Sequence, residues 1–146
     1  MTAPLSGPAA LLRRQQQHDR GPAARLLGHQ LTAIDTALGT VEVAFLAAPH
    51  LFNPLGMMQG GFTAAMLDQA MVDAVTALTD LQYHVVMQAM QCNFLAAIGP
   101  GRLLCRASML RQGRSTAFVE ARLFESAGEL AATATAVTAL QPAAPH

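Results

Sequence analysis

Lysine is absent from this chain of 146 residues, and all nine of its basic residues are arginines. Nine acidic residues balance them, so the formal net charge at pH 7 is zero. A chain without a basic surplus has no general attraction for nucleic acid or for an anionic membrane surface, and we expect neither as a partner. We interpret the missing lysine as a compositional bias. Individual arginines stay of interest, because a guanidinium binds phosphate in a bidentate manner.

Cysteine is scarce, and its two occurrences do not form a metal or redox motif. Cys92 and Cys105 each lie in an apolar, strand-like run, with no CxxC pair and no secretory signal at the N-terminus. We therefore expect buried free thiols in a reducing compartment, the cytoplasm. A nucleophilic cysteine would need a nearby base and partial exposure, which the sequence does not indicate.

The chain also lacks a metal-binding pattern and a membrane-spanning run. The histidines show no ligand spacing; they are His18, His29, His50, His84 and His146. Zinc is therefore not expected, and no cofactor is predicted. No apolar run approaches the roughly 20 residues that are needed to cross a bilayer.

The length fits one domain with one core. Glycine and proline turn signals divide it into a short surface helix at 8–20, strands at 26–37 and 40–48, a loop at 49–59, a long apolar helix at 60–79, and strands at 85–97, 103–111, 115–125 and 130–140. Short turns between the last four strands predict an antiparallel meander. The fold class is α+β, with the sheet covering the apolar helix.

The loop before the long helix ends in a Gly-Gly pair, Gly60 and Gly61. A helix N-terminus leaves about four backbone N–H groups unbonded and carries a partial positive charge. Two glycines there leave room for a substrate oxygen to reach those groups. The pair therefore suits the polarisation of a carbonyl, although a plain loop-to-helix turn would have the same sequence.

One carboxylate, Asp68, lies two turns into the apolar helix. Gln69, Asp73, Thr76 and Asp80 share a polar stripe that we expect to be the wetter face of this helix. Asp68 lies roughly 110° from the middle of that stripe, among apolar neighbours. It is either a partly exposed carboxylate at the edge of a buried helix, or bonded to a neighbouring backbone group, or a functional group.

The loop and the helix together resemble a motif of the hotdog-fold acyl-CoA thioesterases, nearest the phenylacetate-degradation (PaaI-type) branch. That motif is N-P-x-G-x-x-H-G-G, followed by an acidic residue nine positions after the histidine. Here it begins at Asn53, Gln59 takes the histidine place, and Asp68 lies nine positions on. Further likeness at Leu26–Gly28, at Asn93–Leu95 with Gly99, and at Gly113–Arg114 extends the resemblance over roughly residues 24–141.

The resemblance implies a hotdog fold, in which a curved antiparallel sheet wraps a long central helix. The domain would occupy residues 24–141, after an N-terminal extension at 1–23 with a short surface helix, and before a tail at 142–146. The implied activity is hydrolysis of an acyl-CoA thioester to a free acid and coenzyme A. No cofactor is implied, because coenzyme A is part of the substrate.

The resemblance also implies roles for the motif residues. Asp68 would be the general base that activates water, or the nucleophile, and Gly60 or Gly61 would donate a backbone N–H to the thioester oxygen. Asn53 would orient the thioester or the water. In such enzymes the acidic residue and the N–H donor come from different subunits, so we expect at least a homodimer, and a homotetramer formed from two dimers.

The sequence departs from the family pattern at two places. Gln59 replaces the histidine, which removes a titratable group but keeps a hydrogen-bond donor and acceptor. Met87 stands where relatives often carry a serine or threonine that holds the water, and Gln88 is the alternative match. Both departures bear on turnover more than on the fold.

The turn after the predicted strand at 103–111 is the expected contact with coenzyme A. Arg111 and Arg114 flank Gln112 and Gly113 there, and they would bind the phosphates of coenzyme A; two solvated arginines beside a turn are the alternative. A second class of function stays open, a hotdog protein that binds acyl-CoA or another apolar ligand without turnover. A hotdog dehydratase or hydratase is disfavoured, since the histidine loop of that branch is missing.

Overall fold

Six antiparallel strands form one sheet in the computed structural model, which describes residues 7–144. The elements are α1 (Pro8–Gln17), α2 (Pro22–Leu26), β1 (Gln30–Asp35), β2 (Thr40–Ala47), a 3-10 turn (Pro49–Leu51), α3 (Gly60–Leu78), β3 (Tyr83–Phe94), β4 (Gly101–Gln112), β5 (Thr116–Phe124) and β6 (Leu130–Pro142). The predicted α+β class is confirmed. Residues 1–6 of the predicted N-terminal extension and residues 145–146 of the predicted tail lie outside the described residues.

Helix α3 fills the concave side of the sheet. It contacts strands β2 to β6, and the side chains of Met66, Leu67, Met71 and Val75 are fully buried. An amphipathic helix buries one stripe, whereas α3 buries nearly its whole circumference. The prediction of a central helix wrapped by the sheet is therefore confirmed.

The order of strands in the sheet is β1-β2-β4-β5-β6-β3, so the predicted meander is only partly right. Strands β4, β5 and β6 are consecutive neighbours, but β3 pairs with β6 and β4 pairs with β2. The connection from β3 to β4 crosses the end of the sheet, where the N–H groups of Leu95 and Ala96 both donate to the carbonyl of Ala131. Glycine and proline at 99–101 predicted a turn, but a turn signal does not say which strand comes next.

The N-terminal part of the chain differs from the prediction. Gly21-Pro22 was expected to end a helix, whereas it begins a second one, because proline is well suited to the first helical position. Strand β1 consequently begins at Gln30 and not at residue 26. Helix α1 lies on the surface as expected, with Ala10 and Gln15 buried on its inner side.

The polar stripe of α3 is not solvent-facing at its centre, which corrects a second expectation. Asp73 is 1% exposed, and the Nε of Arg20 donates to its Oδ1 at 3.0 Å. His29 Nε2 bonds the other oxygen, and Gln69 donates to Oδ1 at 3.1 Å. The N-terminal segment thus covers this stripe and supplies its counter-charge, as a buried carboxylate requires.

Two absences hold for the described range, 7–144. No helix there is long and apolar enough to span a membrane. No group of three or more histidine, cysteine, aspartate or glutamate residues is arranged to hold a metal ion.

Candidate active site

The loop that precedes α3 is built on the side chain of Asn53. Its Oδ1 accepts hydrogen bonds from the N–H groups of Leu55 (3.0 Å) and Met57 (3.2 Å), and its own N–H donates to the Met57 carbonyl at 2.7 Å. Such bonds from an asparagine to the following backbone stabilise a tight turn. The side-chain oxygen of Asn53 is therefore engaged in the loop, and its amide nitrogen is the group that stays available to a substrate or water.

The Gly-Gly pair begins α3, as predicted. Gln59 is the N-cap and its side chain makes no capping hydrogen bond. The N–H groups of Gly60 and Gly61 have no intrahelical acceptor, and no other residue in the described part of the chain accepts from them. Neither glycine has a positive φ, and a Cβ on either would meet no atom closer than 3.7 Å. The protomer's own packing therefore does not require glycine at these positions.

A cavity of about 430 Å³ opens beside this helix end. We call it the loop–helix cavity; its lining residues are Asn53, Leu55, Met57, Met58, Gly60, Thr63 and Phe94–Ile98. Asn53 and Gly60 of the predicted site thus lie together. Asp68 does not line this cavity.

Asp68 lies on the side of α3 that faces β3, and it is half-buried. Its Oδ1 is fully buried with no hydrogen-bond partner, the one such side-chain atom in residues 7–144. Burial raises the pKa of this carboxyl above its usual value, since the charged form loses hydration without a compensating bond. Of the interpretations left open by the sequence, bonding to a neighbouring backbone group is ruled out for this oxygen.

Asp68 lies close enough to Cys92 on β3 for its charge to act on the thiol. The pKa of the Cys92 thiol is raised by burial first and by the charge of Asp68 second. Both cysteines are free thiols, as expected, and Cys105 is fully buried, with its pKa raised by burial and by Asp73. Only Cys92 is partly exposed, and a raised pKa disfavours the thiolate that a nucleophile requires.

Asp68 and Gly60 of one chain lie far apart along α3. Eight residues separate them, which corresponds to about 12 Å of helix axis. An oxyanion donor must come within about 3 Å of the thioester oxygen, and a general base within about 3 Å of the attacking water. The roles that the resemblance implies for these two residues therefore call for two chains.

Met87 and Gln88 lie at an irregularity of β3. The register with β6 shifts between Met87 and Ala89, so that one extra residue is accommodated. Met87 points inward and packs against the core, whereas Gln88 is exposed. The bulge explains why spacing alone left the match between these two residues open.

The tight connection between β4 and β5 contains Gly113 and Arg114, and Arg111 lies just before it at the end of β4. Both arginines are exposed, and the Gly113 N–H donates to the Thr116 carbonyl at 2.7 Å, so it is not available to a phosphate. A Cβ on Gly113 would lie 3.2 Å from that carbonyl oxygen, which explains the glycine. Strand register places this turn next to the Val86 end of β3, whereas Gly60 lies next to Phe94, roughly 25 Å away.

Two residues of the site region were missed by the sequence analysis. Thr63, one turn into α3, lines the loop–helix cavity, and so does Phe94 at the end of β3. The i to i+3 spacing from Gly60 could have identified Thr63, because such residues share a helix face. Phe94 could not have been found in this way, since its proximity to Gly60 depends on the crossing of β3 over the helix end.

Comparison with known proteins bears on the family and the fold. Residues 55–132 match the sequence profile of the thioesterase superfamily. A Thermoplasma acidophilum protein named as a candidate esterase is 30% identical over 96 residues, which are 63% of this chain and 69% of that protein.

Solved structures share the fold. A candidate thioesterase of Ralstonia eutropha JMP134, described as a phenylacetic acid degradation-related protein, is 32% identical, with a TM-score of 0.80 over 88% of this chain and 98% of that one. The Escherichia coli PaaI protein from the phenylacetic acid degradation operon is 18% identical, with a TM-score of 0.78 over 90% and 96% of the two chains, and this likeness bears on the fold alone.

The matched region includes the Gly-Gly pair, Asp68 and the β4–β5 turn. The resemblance inferred from the loop motif is thus confirmed, together with the hotdog fold. Thioester hydrolysis is the general activity that this similarity supports. The chain belongs to the thioesterase superfamily.

Proposed function

We propose that the protein hydrolyses an acyl-CoA thioester to a free acid and coenzyme A, with Asp68 as the general base. The observation that carries this proposal is the buried, unpartnered Oδ1 of Asp68 in an otherwise apolar helix. Leaving a buried acceptor unpaired costs about 1–3 kcal/mol, so a purely structural carboxylate would be expected to find a partner. A carboxyl group with a raised pKa beside an open surface is typical of a functional site.

The chemistry needs few protein groups, because a thiolate is a good leaving group. Asp68 would take a proton from water as the water attacks the thioester carbonyl. The free N–H group of Gly60, or that of Gly61, would bind the oxygen as negative charge develops on it. Asp68 acting as a nucleophile, through an anhydride, is the alternative route from the same geometry.

The raised pKa of Asp68 favours the general-base role. A base is more effective when its pKa lies closer to the working pH, provided that it is ionised. Gln59 would add a neutral hydrogen-bonding side chain beside the glycines, and the free amide nitrogen of Asn53 would orient the thioester or the water. At the β3 bulge, Met87 faces the core around α3, and Gln88 is the exposed neighbour that would be open to the substrate.

The site would be completed by a second copy of the chain. Strand β3 is a twelve-residue edge strand that pairs only with β6 within the described residues. A long, uncovered edge is a template for pairing with another strand, and a two-fold axis would place two β3 strands antiparallel. We propose a homodimer of this kind, and a homotetramer formed from two such dimers.

Antiparallel pairing also accounts for the distant arginines. It would place the Val86 end of one β3 beside the Phe94 end of the other. Arg111 and Arg114 of one protomer would then lie near the Gly60 of its partner, where they would bind the phosphates of coenzyme A. Within a single protomer these groups are too far apart to contribute to one site.

A hydrolysis screen over short, medium, long and aryl acyl-CoAs, with detection of the free thiol, tests the proposal. We expect turnover by the wild type and a loss of at least about 10²-fold in kcat for Asp68→Asn, because the general base is removed. Asp80→Asn is the matched control, since the same chemical change is made just beyond the end of α3, where asparagine tolerates the positive φ. Its activity should be unchanged.

Two outcomes would contradict the assignment. Unchanged kcat/KM in a folded Asp68→Asn protein would show that Asp68 is not catalytic. Tight binding of acyl-CoA by the wild type without any release of thiol would favour the non-catalytic binding function instead.

A further inference from the structure

The lining of the loop–helix cavity is mostly apolar and carries no charge. Eight of its eleven lining residues are apolar, and none of the eleven is charged. Four of them expose large apolar side chains in the protomer, namely Leu55, Met57, Phe94 and Leu95. Exposed apolar groups that gather around a concave surface mark a binding site more often than isolated ones do.

A few polar groups are placed at one end of this apolar space. The free N–H of Gly60 lies there, and Thr63 lines the same cavity one helical turn on. Thr63 is 3% exposed, and its hydroxyl can donate a hydrogen bond to one group of a ligand in this cavity.

We infer that the loop–helix cavity holds the acyl group of the substrate, that this group is apolar and uncharged, and that Phe94 limits its size. The inference rests on the proposed acyl-CoA hydrolysis and deepens it. A thioester has two sides, and the cavity has no cation for the phosphates of coenzyme A. The carbonyl therefore lies at Gly60 and Thr63, the acyl group enters the cavity, and the nucleotide extends away from it.

The volume sets the class of acyl group. About 430 Å³ is near the lower end of the roughly 300–1,000 Å³ that is usual for ligand pockets. Within the protomer, this space accommodates a single ring or a medium aliphatic chain. A dicarboxylic acyl group is excluded, since its second carboxylate would be buried without a partner.

Phe94 is the side chain that bounds the cavity against Gly60. A Cβ built on Gly60 would lie 3.7 Å from Phe94 Cε1, so the ring stands directly beside the helix end. Ala97 lines the same cavity, and it is exposed. Removing the ring should lengthen the pocket, whereas a large side chain at Ala97 should fill it.

The test measures Kd for acetyl-, hexanoyl-, decanoyl-, palmitoyl- and succinyl-CoA on the Asp68→Asn protein, with kcat/KM on proteins that retain Asp68. We expect hexanoyl-CoA to bind at least about tenfold more tightly than acetyl- or succinyl-CoA, because each buried methylene contributes. Phe94→Ala should shift the preference toward decanoyl-CoA. Ala97→Phe should weaken hexanoyl-CoA toward the affinity of acetyl-CoA, and it serves as the second variant if Phe94→Ala does not fold.

Phe118→Ala is the matched control. Phe118 is a similarly exposed phenylalanine, at 45% against 57% for Phe94, but it lies on β5 outside the cavity. The control should reproduce the chain-length profile of its parent. Identical profiles in Phe94→Ala, Ala97→Phe and the parent, or succinyl-CoA bound as tightly as hexanoyl-CoA, would overturn the inference. A wild type without turnover would refute the proposed function alone, because the Kd profile does not depend on hydrolysis.

Discussion

Asp68 is held in an environment that opposes its charge. Its Oδ1 is buried without a partner, and burial raises the pKa of the carboxyl from the ordinary value of 3.8. By contrast, Asp73, five residues on, is more deeply buried and fully bonded to Arg20, His29 and Gln69. The same helix therefore carries one carboxylate that is stabilised by its surroundings and one that is not, as expected when the second is kept for chemistry.

This difference leads to a prediction about stability. A carboxyl whose pKa is raised by folding costs stability above that raised pKa, and the cost disappears as the pH falls below the unfolded value. Asp68→Asn should therefore raise Tm at neutral pH by a few degrees, at about 2–4 °C for each kcal/mol, and the gain should vanish near pH 4. Thermal unfolding of wild type, Asp68→Asn and Asp80→Asn across this pH range checks it. A lower Tm for Asp68→Asn at pH 7 would indicate a structural carboxylate.

At the residue scale, the sequence identified Asp68 but misjudged Asp73. Periodicity placed Asp68 off the polar stripe of α3 because that argument needs only the residues of one helix. The burial of Asp73 depends on Arg20 and His29, which are 53 and 44 residues away in the sequence. No local pattern contains that contact. The same helical periodicity could have identified Thr63 as a site residue, whereas it could not have identified Phe94.

At the scale of elements, the turn between β4 and β5 leads to a prediction about substrate binding. This prediction can be tested without a large effect on the stability of the fold. Gly113 closes this turn and leaves Arg111 and Arg114 exposed on either side. Exposed arginines contribute little to stability, so a change there should act on binding. Phosphate binding of this kind is similar in the ground state and the transition state.

Arg114→Glu should raise KM for acyl-CoA at least about tenfold and change kcat little, because charge reversal weakens a uniform contact. The effect should shrink at high salt, and it should be absent for an acyl-N-acetylcysteamine thioester, which lacks the nucleotide. Arg122→Glu, an exposed arginine in the middle of β5, is the matched control and should retain the wild-type KM. Equal losses with both substrates would show that Arg114 supports the structure.

The pairing of the strands could be predicted from the sequence only in part. In β5, the exposed Phe118 and Arg122 alternate with the buried Val119, Ala121 and Leu123, a pattern that the sequence itself contains because the side-chain period of a strand is local. The strand that pairs with β3 could not be identified from the local sequence. Chain order suggested β4, and the fold places β6 beside β3 because the 95–100 segment crosses the sheet end. The exposed β3 edge, and the dimer that we propose from it, follow from this crossing.

At the scale of the whole molecule, the features of the protomer point to an incomplete site. Gly60 and Asp68, the proposed N–H donor and the proposed general base, are about 12 Å apart along α3, the arginine turn is roughly 25 Å from Gly60, and β3 leaves one edge unpaired among the described residues. A two-fold assembly through β3 accounts for all of them at once. Its central claim is that Asp68 of one subunit acts with Gly60 of the other.

Complementation between two inactive variants tests that claim most directly. Gly60→Pro removes the Gly60 N–H and keeps the start of α3, since proline is favoured at the first helical position and Gln59 is already extended before it; its ring also adds atoms beside Phe94. Gly60→Ala, which keeps the N–H, is its control. Asp68→Asn and Gly60→Pro should each be inactive alone.

The two variants are co-expressed with different tags, and thioesterase activity is measured on the purified mixed dimers and on the unfractionated mixture. A site shared between subunits leaves one of the two sites in each mixed dimer with an intact Asp68 and an intact Gly60. The account predicts about half of the wild-type activity in the mixed dimers and about a quarter in a random mixture. Mixed dimers that form but stay inactive, beside an active wild type and an active Gly60→Ala, would contradict it.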